Sequence, residues 1–298
     1  MNMKKNIALV ALIFSFVGCQ NSEIDEMVAI VDDGVLRIET QYPPATRASS
    51  IGFESGDMIG VYATEYNGEV VMPLQISGNW INNEALTYDG EIWRGRRTFY
   101  WCDSGLMDVY GYYPYITPTS IDKSRWAVQT DQSMPETEGV LSGYEASDFL
   151  WAKSEGALRE DGNVKLKFAH RCSKLVVKLV KGESFTTRFP DDTEVYLYST
   201  VPSALINLAK GLVSKDPHGS PRKIKARRVS EDTFEVIVVP QSILQYSPFV
   251  EIVMGDIAYM TEEIFSYNAG VQHTVLITLE NSPEKIEVDL GGTIEGWE

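Results

Sequence analysis

The stretch Val164–Val180, "VKLKFAHRCSKLVVKLV", decides the fold. Its first half places apolar residues on even numbers, at Val164, Leu166 and Phe168, with Lys165 and Lys167 between them. Past Ser173 the apolar set moves to odd numbers, at Leu175, Val177 and Leu179. A period of two is that of a strand with one buried face. A one-residue change of phase turns every side chain to the opposite face. The chain is therefore expected to bulge or bend between His170 and Ser173. There a strand crosses between sheets, or one domain hands over to the next.

The same period recurs on both sides of this stretch. Ile59, Val61 and Ala63 alternate with Met58, Gly60 and Tyr62, Val195 and Leu197 with Tyr196 and Tyr198, and Ile286, Val288 and Leu290 with Glu287 and Asp289. "FEVIVV" (Phe234 to Val239) ends apolar on both faces, which is expected of a central strand stopped by Pro240. Gly56-Asp57, Asn67-Gly68, Asp89-Gly90 and Asp161-Gly162 punctuate the strands as turns. The best helical pattern is Leu205, Leu208 and Leu212 in "ALINLAKGLVS", and it is short. Many short strands with frequent turns give an all-β chain built of β-sandwiches. The polar, turn-rich "AKSEGALREDGN" (Ala152 to Asn163) is the linker candidate. The expected boundary falls near residue 158, with one sandwich over residues 48–158 and another over 159–298.

The beginning of the chain reads as an address. Lys4 and Lys5 precede an apolar run from Ile7 to Val17, and Gly18-Cys19 closes it. That is a signal-peptide layout over residues 1–18, and the run is shorter than the ~20 residues of a membrane-spanning helix. Phe16-Val17-Gly18-Cys19 resembles a bacterial lipobox, so Cys19 is expected to carry lipid (palmitate among the acyl groups) in the outer membrane. The acidic Gln20–Glu26 segment after it resembles a surface-export tag and suits an extended tether. The chain carries 42 acidic against 26 basic residues, a formal net charge of −16. Nucleic acid is a poor partner for such a surface. With Cys19 assigned to lipid, Cys102 and Cys172 remain, either as a disulfide or as two buried thiols.

Signals of chemistry are sparse. His170, His218 and His273 lie far apart, without the paired spacing of a metal site, and no cofactor is implied. No G-x-S-x-G turn or glycine-rich phosphate loop occurs. Carboxylates are abundant, so a hydrolase with two acids meeting across a cleft stays open as a weak reading. Arg222, Lys223, Lys225, Arg227 and Arg228 in "PRKIKARR" read as the solvated face of a strand or hairpin. Trp93, Tyr100, Trp101, Tyr112 and Tyr113 could stack on sugars, which gives the alternative of a surface-anchored glycan-binding lipoprotein; sheet and core packing is the other use of such rings.

"FESGDMIGVYA" (Phe53 to Ala63), "FYW" (Phe99 to Trp101), "YGYYPY" (Tyr110 to Tyr115), "TDQS" (Thr130 to Ser133), "SDFLWA" (Ser147 to Ala152) and "FAHRCSKLVVKL" (Phe168 to Leu179) occur in this order. Together they resemble the fimbrillin-like family, the type V pilus subunits of Bacteroides-type anaerobes. The resemblance implies two tandem transthyretin-like β-sandwiches and no enzymatic role. It also implies export as a surface lipoprotein and cleavage by a trypsin-like protease after an arginine. That cut removes the tether and first strand (residues 19–47 here) and leads to a fimbrium in which other pilin subunits supply the missing strand.

The sequence has places for those parts. Val35 to Thr40 alternates Leu36 and Ile38 with Arg37 and Glu39, a credible removable strand. Pro43 and Pro44 stop it, and Arg47-Ala48 is the candidate cut. Loss of the strand would open a sheet edge to strand addition by a neighbour, in open head-to-tail order. In stalk subunits of the family the donor is a C-terminal extension. Here the tail from Thr293, with Ile294 and Trp297, is expected to finish its own domain, which favours a tip or accessory subunit that accepts a strand and donates none.

Overall fold

The computed structural model describes residues 33–43, 52–282, 285–290 and 292–297. In chain order the first strands are β1 (Ile38–Gln41), β2 (Met58–Asn67), β3 (Val70–Val71), β4 (Ile81–Tyr88), β5 (Trp93–Arg94), β6 (Leu106–Tyr113), β7 (Ser124–Ala127), β8 (Leu150–Leu158), β9 (Val164–Lys167) and β10 (Ala169–His170). There follow β11 (Ser173–Lys181), β12 (Glu194–Thr200), β13 (Ser203–Asn207), β14 (Leu212–Lys215), β15 (Arg222–Lys225) and β16 (Arg227–Arg228). The last are β17 (Thr233–Val238), β18 (Gln241–Met254), β19 (Ile257–Tyr267), β20 (Val271–Leu279), β21 (Ile286–Asp289) and β22 (Ile294–Gly296). Helix among the described residues is confined to two single 3₁₀ turns, so the chain is all-β.

The large sheet of the N-terminal half runs β10-β8-β6-β2-β4-β5, with β3 on β2. Its two middle strands are buried on both faces, and the sequence shows why. Ile59, Val61 and Ala63 of β2, with Met107 and Val109 of β6, point into a core shared with Leu36, Val164, Leu166 and Phe168. Tyr62, Tyr110 and Tyr112 point the other way into a second, larger core. Close approach across the first core depends on Gly111. A Cβ there would lie 2.7 Å from Leu166 Cδ1, so any side chain would push β9 away.

The phase change resolves as a change of partners. β9 pairs parallel with β1, and β10 joins β8 at the edge of the large sheet. From Ser173 the chain enters a different sheet, β16-β17-β11-β20-β21, with β22 also on β20. Leu175, Val177 and Leu179 now face the larger core, opposite a sheet of order β15-β12-β18-β19 that contributes Val195, Leu197, Phe249 and Ile252. "FEVIVV" is interior to its sheet as expected, between β16 and β11.

Two expectations give way. "ALINLAKGLVS" is no helix: it is the hairpin β13–β14, paired with β7. Ala204, Ile206 and Leu208 are its buried set, and Leu212 of the supposed helical stripe is exposed. Gly211, at φ +61°, makes the turn against the face of Trp151, where a Cβ would meet the indole at 2.3 Å. The polar stretch from Ala152 is no free linker either, because it continues β8 as far as Leu158. Its charges are those of an outward face, with Lys153 reaching Asp108 at 2.7 Å. Burial alone would push the Asp108 carboxyl up. Hydrogen bonds from Lys153, the Gly156 N–H and Tyr66 hold it below the ordinary carboxylate range instead.

Candidate functional site

Residues 34–41 cross the open face of the first core as one extended segment, with backbone bonds on both sides. On one side Leu36 N–H donates to Phe99 O (2.9 Å) and Trp101 N–H to Gly34 O (3.0 Å). On the other, Val164 N–H donates to Arg37 O (2.8 Å) and Phe168 N–H to Gln41 O (2.9 Å). Val35 bridges Tyr100, and Ile38 to Gln41 lie in register with Val164 to Lys167. Leu36 is buried in the core, Ile38 packs on its border, and Arg37 and Glu39 face outward.

Side chains fix the register. Trp93 Nε1–H donates to Thr40 Oγ1 at 2.9 Å. Phe53 and Tyr88 pack on the Trp93 ring at 5.1 and 5.0 Å between centroids, so the indole has little freedom to turn. Asn163 Nδ2 donates to Glu39 at 2.6 Å. At the start, Asp33 pairs with Arg37 and accepts from the Val35 N–H, and these bonds hold its carboxyl down to about 2. At the far end the Tyr42 ring meets Phe53 edge-on at 5.0 Å and His170 at 6.1 Å.

Beside Tyr42 opens a cleft of about 630 Å³ lined by Asp57, Tyr113, Tyr144, Glu145 and Arg227 among others. Tyr113 donates to Asp57 at 2.9 Å, and burial raises both the phenol and the carboxyl above their usual ranges. Behind the cleft lie two sets of buried polar contacts. Lys174 and Arg227 each approach Glu235 at 2.8 Å, and the Arg227 guanidinium lies 3.6 Å over Tyr144. His170 Nδ1 and Asp148 Oδ1 are 2.8 Å apart. The face of that imidazole carries Trp297, stacked at 3.8 Å and 8°. Buried ion pairs of this kind add little net stability, but leaving one partner alone is costly, so they fix how the elements meet.

Of the residues singled out from the sequence, Val35, Leu36, Ile38 and Thr40 come together here, whereas Cys19, Arg47 and Ala48 lie outside the described residues. The five aromatics do not form one exposed row. Trp101, Tyr112 and Tyr113 are buried, Trp93 is occupied with Thr40, and Tyr100 alone of the five is well exposed. Cys102 and Cys172 are separate buried thiols. The basic run is spent on local contacts: Lys225 with Glu194, Lys223 over Tyr196, and Arg228 with the Pro190 and Asp191 carbonyls. No group of three or more His, Cys, Asp or Glu among the described residues is placed to hold a metal ion. The Trp93–Thr40 and His170–Trp297 contacts were not foreseen, because nothing in spacing links residues so far apart.

Three comparisons bear on this arrangement. A "Putative fimbrium tip subunit Fim1C" of Bacteroides ovatus is 28% identical over 202 residues, which cover 58% of this chain and 34% of that protein. The chain thus spans about a third of the length of that relative. A crystal structure of a "putative cell adhesion protein" from Bacteroides ovatus superposes with TM-score 0.69 at 18% identity, covering 89% of this chain and 98% of that one. One of the same description from Bacteroides uniformis gives 0.66 at 21% identity, covering 89% and 100%. At these identities the likeness is one of fold, a fold shared with the β-sandwich adhesion proteins. The profile described as fimbrillin-like matches residues 46–297, most of the molecule, and the chain belongs to that family.

Proposed function

We propose that this chain is a fimbrial subunit exported as a lipoprotein on Cys19, cut after Arg47 by a trypsin-like protease, and assembled when another subunit supplies a strand in place of residues 35–40. The observation that carries the reading is the seat of the first described strand. It closes the open face of a core, it is held by backbone bonds that any extended chain can make, and the candidate cut follows within a few residues. Its departure would leave the Trp101, Val164 and Phe168 N–H groups without acceptors beside an uncovered apolar face. Unpaired backbone beside apolar surface is a template for strand addition.

The first core draws only on residues between Leu36 and Phe168, and the core residues from Cys172 onward all lie in the second, which also takes Tyr62, Tyr110, Tyr112, Val128, Tyr144 and Phe149 from earlier in the chain. We therefore take the molecule as two sandwiches that hand over between Phe168 and Cys172. The description of the Bacteroides ovatus relative supports a tip position.

The test is N-terminal sequencing and intact mass of material sheared from the cell surface. A start at Ala48 in high-molecular-weight assemblies is the expected result. Arg47→Ala should leave export and folding intact and abolish assembly. Normal polymers from that variant would show that cutting at Arg47 is not the trigger.

A further inference from the structure

The seat of the first strand contains one polar demand in an otherwise apolar slot. Leu36 and Ile38 meet hydrocarbon, and Tyr42 meets the Phe53 ring. Thr40 instead answers the indole N–H of Trp93, a group that can only donate. Phe53 and Tyr88 hold that indole from its flanks, so its N–H cannot swing out to water without breaking ring contacts. We propose that the slot selects its incoming strand by a hydroxyl. The partner is an extended segment running parallel to β9, with apolar side chains in the places of Leu36 and Ile38. It carries threonine or serine in the place of Thr40 and an aromatic ring in the place of Tyr42. This deepens the strand-replacement reading above and rests on it.

The orientation follows from the bonding. Val164 and Phe168 take the carbonyls of residues 37 and 41, a parallel register that a reversed strand would not reproduce with the same side chains inward. Outward positions matter less: Asn163 and Lys165 flank Glu39, which favours an acid there and tolerates others. The rule also bears on which other segments of this chain could fill the slot of a second copy. The segment of β21 and the residue after it offers Ile286, Val288 and Leu290 at the spacing of Leu36, Ile38 and Thr40. Leu290 would set a methyl against the indole N–H and strand it. The slot is thus shaped for a strand carrying the hydroxyl, and the segment from Ile286 to Leu290 does not meet that demand.

The test uses the full-length chain with residues 44–51 replaced by the sequence of a site-specific protease, so that the cut does not depend on Arg47. The cut chain is brought to equilibrium with fluorescent peptides of residues 33–43, and binding is read by anisotropy. The native peptide is expected to bind about tenfold more tightly than its Thr40→Val version, as for one lost hydrogen bond to a half-buried donor. A Thr40→Ser peptide should stay within about threefold of the native one. In the Trp93→Phe chain, the threonine and valine peptides should converge. Equal binding of both peptides to the chain with Trp93 would overturn selection by the hydroxyl while leaving strand replacement standing. Failure of the native peptide to bind the cut chain would overturn replacement itself, and the selection rule with it.

Discussion

The two ends of the described chain are both short strands on a sandwich, and they are held by different means. The first, residues 34–41, rests mainly on backbone bonds to two neighbours and on two aliphatic side chains, with the Trp93–Thr40 hydrogen bond as its one specific inward side-chain bond. The last, β22, pairs with Val271 to His273 through three exposed residues and is then pinned by one ring, Trp297, buried in the larger core. Main-chain bonds are generic, since any extended chain in register supplies them, whereas a stacked indole on a particular imidazole is not. The comparison teaches which end is exchangeable: the first strand has a seat that another sequence can take, and the last has a plug cut to one hole.

Replacing the plug should have the largest effect. Trp297→Ala removes a buried indole from the His170 face and is expected to cost ~3 to 5 kcal/mol in urea unfolding, with the tail opened to carboxypeptidase. A loss no larger than that of Leu36→Ala would erase the contrast between the ends. Leu36→Ala should cost about 2 kcal/mol, at the low end for a buried leucine because its short segment can settle toward the gap. Hydrogen exchange at Val164 and Phe168 N–H should quicken in that variant while Ile294 to Gly296 are unaffected.

The smallest effect concerns Asp33. With its carboxyl held down to about 2 by Arg37 and the Val35 N–H, its contribution is complete above the ordinary value of 3.8 and fades as pH falls toward 2. Asp33→Asn should therefore quicken exchange in residues 35–38 at pH 7. The difference should shrink as pH falls toward 2, where the native carboxyl is itself losing its charge. A difference that persists undiminished at low pH would mean that the side-chain geometry, not the charge, holds the start of the strand.

Much of this architecture was legible because it obeys a period of two. The shift from Leu166 and Phe168 to Leu175 and Val177 located the crossing between cores within a few residues. Leu205, Leu208 and Leu212 misled because three leucines at helical spacing also fit a hairpin once Gly211 turns the chain, and Ala204 and Ile206 carried the competing period. The polar run from Ala152 looked like a linker because β8 keeps one face toward water. In the site, the alternation of Leu36 and Ile38 was visible in the sequence. The partner of Thr40 was not, since Trp93 lies 53 residues away and announces itself only as an aromatic. The role of Trp297 depends on an imidazole placed by β10, more than a hundred residues earlier in the chain, and no local pattern encodes such a meeting.

His170 stands between Tyr42, the residue next to the first strand, and Trp297 at the other extreme of the described chain. One imidazole therefore separates entry from exit. Should Tyr42 leave with its strand, water gains a path to the ring on which the last indole rests. An event at the first described strand would then be felt at the last without either core having to unfold.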